Sequence, residues 1–484
     1  MHTPRVGRRT LSVVPVSPAP AEGIFGTTYR TSSIGAFALI AIAALEALAV
    51  TTVMPTLARE LDGLSLYALA FSAPLASGVI GMVAAGQWSD RHGPRRALEV
   101  AILTFSLGLL VCGLAPAMEL FVVGRLLQGL GSGALIAALY VVVGEVYPAD
   151  LQPSLFASFA AAWVLPALFG PALAAVVADL AGWRWVFLSV IVLVALAAVF
   201  VVPALRMLRP RSAAEVEAAA AAPARRGLLL WATVAAVAAL ALELLGSLPG
   251  LRAALAAVPL VVLVLALRPL LPGGSLTGRR GLPSVIAVRG LLSASFFCAE
   301  SYIVFVLQEQ WQVTAVRAGL ALTVFGVVWA TASQVQARLR ARLDDTTVMS
   351  IGSAVLLAGV LVLLLAVVLD VHPVLAAAGY ALGGAGMGFA YPRTGVATLA
   401  ASSDADRGFN SSALTISDSL GGAVALSISG AIFAAAERGD SDPFSAVFAL
   451  AVLLAVGAAV VARRTGYRAP VAPDPAASRT ARSR

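Results

Sequence analysis

Long apolar runs recur along this chain from residue 33 to residue 462, each closed by a short polar or Gly/Pro-containing break. A helix needs about 20 consecutive apolar residues to cross a bilayer core. Fourteen stretches answer that description: 33–57, 66–87, 97–116, 119–144, 153–179, 184–205, 227–247, 252–271, 285–308, 315–337, 347–370, 373–394, 409–435 and 442–462. Lipid offers no partner for the backbone of an open strand, so all fourteen are predicted to be helices. The expected fold class is an all-α polytopic membrane protein.

Two six-span sets, 33–205 and 285–462, are nearly equal in length, which predicts two pseudo-symmetric six-helix bundles. Two extra central spans stand between them in 227–271. The alternative for such a pair is two interfacial helices, but neither has the strongly polar face that this requires. Glu243 lies near the outer end of the first and Arg268 near the inner end of the second, as crossing helices would place them. Residues 1–32 read as an N-terminal tail and 206–226 as an Arg- and Ala-rich linker. Residues 272–284 read as a cytoplasmic loop, and 463–484 as a Pro-, Ala- and Arg-rich tail.

Charge adds sidedness. Only 12% of residues are charged, and all 33 basic residues are Arg. With the N-terminus inside, 27 of them fall in inner segments and only Arg59, Arg184, Arg252, Arg317 and Arg438 in outer loops. Arg125 alone is left deep within a span, away from either end. That asymmetry puts both termini on the cytoplasmic side, and it accounts for a pI of about 10.1 without any nucleic-acid partner. The first apolar stretch is too long for a signal-peptide core and reads as a retained helix of a multi-pass protein in the cell membrane. Cys112 and Cys298 fall inside spans, so no disulfide or metal site is expected. The three His form no catalytic or ligand set, and Gly131-x-Gly133 lies mid-span without the strand or Lys of a phosphate loop. The chain therefore reads as neither an enzyme nor an ATP-driven pump.

Charges inside the spans are the candidate functional groups, because each costs about 2.5–3.5 kcal/mol at a helix centre. Glu46 sits at the middle of the first span. Arg125 lies about 9 Å outside the midplane by helix rise, too deep to reach an interface easily, and is the expected partner of a nearby carboxylate. Glu300 falls about 5 Å outside the middle of the ninth span, and Asp418 about 6 Å inside that of the thirteenth. Each of these groups admits a structural polar contact or a direct functional part. Gly129 and Gly133 in the fourth span, and Gly379, Gly383, Gly384, Gly386 and Gly388 in the twelfth, mark close helix contacts. Between the second and third spans, Gly86-Gln87-Trp88-Ser89-Asp90-Arg91-His92-Gly93-Pro94-Arg95-Arg96 follows the spacing G-x3-D-R-x-G-x-R. Its glycines permit close approach and a tight reversal, Asp90 can cap a helix start, and Arg91, Arg95 and Arg96 hold the turn inside.

That loop, in that place, resembles the signature loop between helices 2 and 3 of the major facilitator superfamily. Trp88 stands for a customary Leu and Pro94 for the first of two usual basic residues. The string from Arg125 to Gly129, R-x-x-Q-G, resembles the superfamily's helix-4 motif. Glu46, nine positions before Pro55, is similar to the helix-1 motif of its drug:proton antiporters, with Glu where many have Asp and Leu48 where Thr is common. Gly170 and Pro171 resemble part of the exporters' helix-5 motif, although Ala174 and Ala175 replace glycines and Pro166 occupies an upstream Gly position. Gly182-Trp183-Arg184-Trp185 is similar to the loop before helix 6, and both Trp suit an outer aromatic belt. With the two extra spans, the resemblance is to the fourteen-helix drug:proton antiporter branch.

The resemblance implies roles. Gly86, Asp90, Arg91, Gly93 and Arg95 would form a gating latch, with Asp418 as an inner-gate partner. Gly170 and Pro171 would shape a kinked helix at the interface between halves. Glu46 and Arg125 would carry proton coupling. Glu300, on the helix equivalent to the cavity-lining helix 7 of twelve-helix members, would be a second protonation or substrate-contacting group. The implied activity is export of lipophilic drugs or related small molecules by alternating access, driven by the proton gradient with no bound cofactor. A dedicated exporter of one metabolite, antibiotic or siderophore stays open, as do a facilitator or importer and a non-transporting receptor.

Overall fold

The computed structural model describes residues 23–148, 162–208, 227–246, 255–339, 342–402, 406–439 and 441–466, with positions 151, 152, 155, 158, 159 and 248 between them. The expected linker lies almost wholly outside the described residues, as do most of the N-terminal tail and nearly all of the C-terminal one. Among the described residues there are fourteen α-helices and no strand. They are α1 (Arg30–Glu60), α2 (Tyr67–His92), α3 (Pro94–Leu114), α4 (Met118–Val146), α5 (Val164–Ala181), α6 (Arg184–Met207) and α7 (Leu228–Gly246). There follow α8 (Ala257–Leu270), α9 (Leu282–Glu309), α10 (Ala315–Arg338), α11 (Asp345–Val368), α12 (Pro373–Ala400), α13 (Arg407–Arg438) and α14 (Pro443–Ala462). Twelve are long and apolar enough to cross a membrane. The other two, α5 and α8, are shorter, and parts of their expected first turns lie outside the described residues. The 31-residue α1 runs about 46 Å, well beyond a hydrocarbon core of about 30 Å.

One packing scheme occurs twice. α4 lies between α2 and α3 as α12 lies between α10 and α11; α1 rests on α5 and α6 as α9 rests on α13 and α14. The result is two pseudo-symmetric six-helix bundles, α1–α6 and α9–α14, joined along two seams: α2 with α13, and α5 with α10. The extra helix α7 lies against both helices of the first seam, and α8 packs on α7.

Small residues set these distances. A Cβ on Gly133 would collide with the α2 backbone at Gly78, and one on Gly131 with Phe105 of α3. In the second bundle Gly379 meets the α11 backbone at Gly359 and Leu363, while Gly388 meets Trp329 of α10. Without a hydrophobic effect between helices in lipid, such close contact supplies the dispersion that holds them. Outward-facing residues such as Leu180, Val192, Val199, Val258 and Leu453 are exposed apolar side chains for the bilayer to cover.

The two ends of the bundle differ. At the terminal face, the start of α1 packs on the end of α6 through Gly35, and the Gly281 N–H donates to the Arg464 carbonyl at 3.0 Å. At the opposite, far face, Arg184 donates to the Glu60 carboxylate at 2.9 Å and to the Ala115 carbonyl at 3.4 Å. The far face is also where the bundles are tied together. Arg59 donates to Glu309 (2.5 Å) and Gln308 (2.9 Å), and the Tyr67 hydroxyl donates to the Ser301 carbonyl (2.8 Å). The Tyr67 ring packs on Tyr302 and Phe305 of the other bundle. At the terminal face, by contrast, a Cβ added to Gly86, Gly144 or Gly395 would meet nothing within 4 Å among the described residues. The structure is closed at the far face.

Candidate functional site

Glu46 lies midway along α1 and is 6% exposed; Arg125, about two turns into α4, is 4% exposed. Arg125 Nη1 donates to Glu46 Oε1 and, at 3.0 Å, to Gln128 Oε1, while its Nε donates to the Ala70 carbonyl of α2 at 3.0 Å. Arg125 and Gln128 share a face of α4 by their spacing of three. Cys112 of α3 donates its thiol to the same Gln128 oxygen at 3.2 Å. The Gln128 Nε2 has no partner among the described residues. Four helices thus converge on one buried ion pair. Its geometry is that of a carboxylate and a guanidinium, and removing either partner would strand the other charge in an apolar setting.

Asp418 belongs to a different cluster. It accepts from Arg289 Nε at 2.8 Å, from the Tyr391 hydroxyl at 2.8 Å and from the Ser293 hydroxyl. Arg289 also donates to the Tyr391 carbonyl (3.2 Å) and to Thr394 Oγ1 (3.0 Å), with its guanidinium 3.3 Å from the Tyr391 ring centre. By sequence alone Arg289 and Arg393 count with the inner-segment arginines. In the fold both lie within helices, and Arg393 donates to Gln336 (2.7 Å) and to Asp345 (2.7 Å). The four groups Asp418, Arg289, Ser293 and Tyr391 lie on α9, α12 and α13 of one bundle, and they knit that bundle toward the terminal face.

Glu300 lies on α9, the counterpart of α1, and about one turn nearer the far face than Glu46 when the ends of the two helices are matched. It is buried and has no hydrogen-bond partner among the described residues. Tyr380, whose buried hydroxyl is also unpartnered, lies within electrostatic reach of it. Tyr380 stacks on Phe325 at 4.4 Å, and Phe325 stacks on Phe296 at 5.2 Å, with Trp329 edge-on to both. A lone carboxyl beside an aromatic wall is a combination suited to a lipophilic cation. The aromatic wall is not apparent from the sequence, because its members come from three helices.

The signature loop is nearly all helix. α2 continues through Gly86, Asp90 and Arg91 to His92, and α3 begins at Pro94. Only Gly93 stands between them, with φ +82°, a conformation that favours glycine. Pro94 is explained by its place at the first position of α3, where a missing N–H costs nothing. Asp90 does not cap α3, whose N-cap is Gly93 without a side-chain hydrogen bond. Arg95 pairs with Glu99 one turn on, at 3.0 Å in solvent. Gly86 makes no close helix approach in this state, contrary to the sequence expectation. Trp88 is exposed and sits edge-on to His92.

On α5 the roles of the residues shift. Gly170 faces Leu45 of α1, while Ala167 and Pro171 meet α10 at Gly326 and Gly319. The glycines that permit the close seam are therefore on α10. Trp185 is exposed as a belt residue should be, but Trp183 is buried against Phe121 and Phe187 and donates to Glu60 at 2.9 Å. Among the described residues there is no group of His, Cys, Asp and Glu that could hold a metal ion.

Two pseudo-symmetric bundles meeting along paired seams, closed at one end and carrying a buried acid–base pair, define a membrane transporter of the two-bundle type. The chain belongs to the Major Facilitator Superfamily, whose family model matches residues 36–299 and 285–483. It is a multi-pass membrane protein. It is 26% identical over 163 residues to multidrug resistance protein 3 of Bacillus subtilis, covering 34% of this chain and 32% of that protein. It is 31% identical over 166 residues to a probable multidrug-efflux transporter of Mycobacterium tuberculosis, covering 34% of this chain and 35% of that one. These matches span about a third of each relative's length. The fold superposes on the crystal structure of a POT family transporter in complex with a thioalcohol-conjugated peptide. The TM-score is 0.66, with 92% of this chain and 96% of that one covered, at 17% identity. A likeness at that identity speaks for the fold alone.

Proposed function

We propose that this protein exports lipophilic small molecules across the plasma membrane in exchange for protons, with Glu46 as the proton site and the terminal face cytoplasmic. The observation that carries the reading is the Glu46–Arg125 pair, a carboxylate and its counter-ion buried together across α1 and α4. The multidrug names of the sequence relatives support efflux, and the crowding of Arg toward the terminal face supports the orientation.

In this reading, closure of the far face leaves the substrate path open toward the cytoplasm. Arg125 holds Glu46 ionised there. A lipophilic substrate enters between the bundles, where Glu300 and the Phe296, Phe325 and Trp329 rings offer a negative, polarisable wall. When the far face opens, a proton from outside neutralises Glu46. Arg125 is then left to Gln128 and the Ala70 carbonyl, and the substrate's hold weakens. The protonated carrier returns, and differential binding in the two states couples the fluxes. The proton gradient is the energy source, with no bound cofactor.

The test is substrate-dependent proton movement in proteoliposomes. Glu46→Gln is expected to abolish proton-driven efflux while leaving substrate binding measurable. Undiminished proton-driven efflux by that variant would sink the assignment. Arg125→Ala is expected to lose coupling as well. A broad panel of unrelated lipophilic compounds, run in the same vesicles, separates a multidrug exporter from one dedicated to a single compound.

A further inference from the structure

The helix pair α7–α8 lies outside both bundles, yet its one buried charge does not face lipid. Glu243, near the far-face end of α7, is 4% exposed. Its carboxylate accepts from the Ser72 hydroxyl of α2 at 2.5 Å and, at 3.4 Å, shares the Ser427 hydroxyl of α13 with the Ala423 carbonyl, which that hydroxyl reaches at 2.9 Å. Both serines are fully buried. Ser72 belongs to the first bundle and Ser427 to the second, so one carboxylate on an accessory helix bridges the seam between them. Gly430 makes room for this arrangement, because a Cβ there would press on Ala68 of α2 and stand 3.1 Å from Glu243 Oε1.

No basic group faces this carboxylate among the described residues. From α9, Tyr302 is the titratable group within electrostatic reach, and Tyr67 of α2 packs on it. On α13 the nearest charged residues, Asp418 and Glu437, are nine and ten positions away along the helix. On α8, Arg268 stands at the opposite end, in the last turn. Glu243 therefore depends on two hydroxyl donors for its charged form, unlike Glu46 with its arginine. Beside it, an open apolar hollow of about 300 Å³ is lined by Leu242, Gly246, Ala256, Ile428, Ala431 and Ile432, while the end of α7 itself packs on α13, where a Cβ on Gly246 would stand 2.7 Å from Ala431.

Alternating access requires the seam to part at the far face. Ser72 and Ser427 then move with different bundles, and the carboxylate keeps one donor at most. A carboxylate short of donors in an apolar setting is costly and takes up a proton instead. We propose that Glu243 is a second proton site of the carrier, latching α2 to α13 through α7 while the far face is closed and binding a proton from outside water as that seam parts. The proton sits on a Glu243 carboxylate oxygen and leaves when the two hydroxyls return. This assignment rests on the proton-coupled reading above, and it makes the extra helices part of the transport cycle.

Distances between nitroxides at Ser65→Cys and Arg317→Cys report far-face opening by double electron–electron resonance in nanodiscs, titrated over about pH 5 to 9. Both positions are exposed, and the native Cys112 and Cys298 are buried and replaced by Ala. In a Glu46→Gln background, opening is expected still to follow pH. Adding Glu243→Gln is expected to abolish that dependence and leave the far face open throughout, while Glu243→Asp keeps it. Identical titrations with and without Glu243→Gln overturn the proposal. Ser72→Ala with Ser427→Ala spares the carboxyl and is expected to shift opening to higher pH; an unchanged curve overturns the latch. Efflux by the unaltered carrier without any proton movement instead defeats the proton-coupled reading itself. Intact coupling, with opening titrations that Glu243→Gln leaves unchanged, defeats only the second site.

Discussion

Two of the acid–arginine pairs have both partners largely buried, and their surroundings make them different devices. Asp418 accepts from Arg289, Ser293 and Tyr391, three donors from two other helices of its own bundle. Among the described residues Glu46 has Arg125 as its one partner, within a nearly solvent-free site. Arg125→Ala is expected to destabilise the protein by about 3–5 kcal/mol, because it leaves Glu46 buried and uncompensated. Combining it with Glu46→Gln should recover most of that loss in thermal unfolding in detergent. A simpler case is Asp344, which caps α11 by accepting from the Thr347 N–H and hydroxyl. Those bonds hold its carboxyl below the ordinary 3.8. Its capping contribution is thus present above the unfolded value and lost as pH falls through the lower folded one; Asp344→Ala should remove that acid-side component from unfolding profiles measured against pH. The depth of Glu46 and Arg125 was legible in the sequence from helix rise alone. A carboxylate partner for Arg125 was expected as well; the contact itself depends on which faces of α1 and α4 meet. Arg289 was missed for a related reason: near a helix end it looks like any inner arginine until Asp418 is placed beside it.

At the scale of the element, glycine placement separates permanent contacts from those that form only in part of the cycle. Gly133 lies against the α2 backbone at Gly78, so Gly133→Val should prevent stable assembly of the first bundle, seen as loss of monodisperse protein on size-exclusion chromatography. Gly86 faces open space in the closed-far-face state. Gly86→Leu is expected to leave thermal stability unchanged yet slow efflux severely, if the terminal ends of the bundles meet in the other state. Equal losses of stability at both positions would contradict this distinction. The helices themselves were legible from apolar run length, as was the turn at residues 86–98. The sequence did not disclose that this turn contracts to Gly93 alone, since helical continuation through Asp90 and Arg91 is decided by the packing of α2. Nor did it show that the seam glycines facing α5 belong to α10.

For the whole molecule, the far face is held by a small set of polar ties, Arg59 with Glu309 and Gln308 and Tyr67 with Ser301. Arg59→Glu should shift the population toward an open far face, and Arg59→Glu with Glu309→Arg should restore closure, both read as interbundle distances by spin labelling. The duplicated six-span layout made the two bundles legible, but not the location of α7 against one seam. That location divides the two seams in the eyes of the bilayer. The α2–α13 seam is roofed by α7, whereas the α5–α10 seam presents Leu165, Phe169 and Val324 as exposed side chains with no accessory helix described against it. A molecule already dissolved in the lipid therefore meets a nearly twofold protein whose two flanks, among the described residues, are unlike: one seam covered, the other bare.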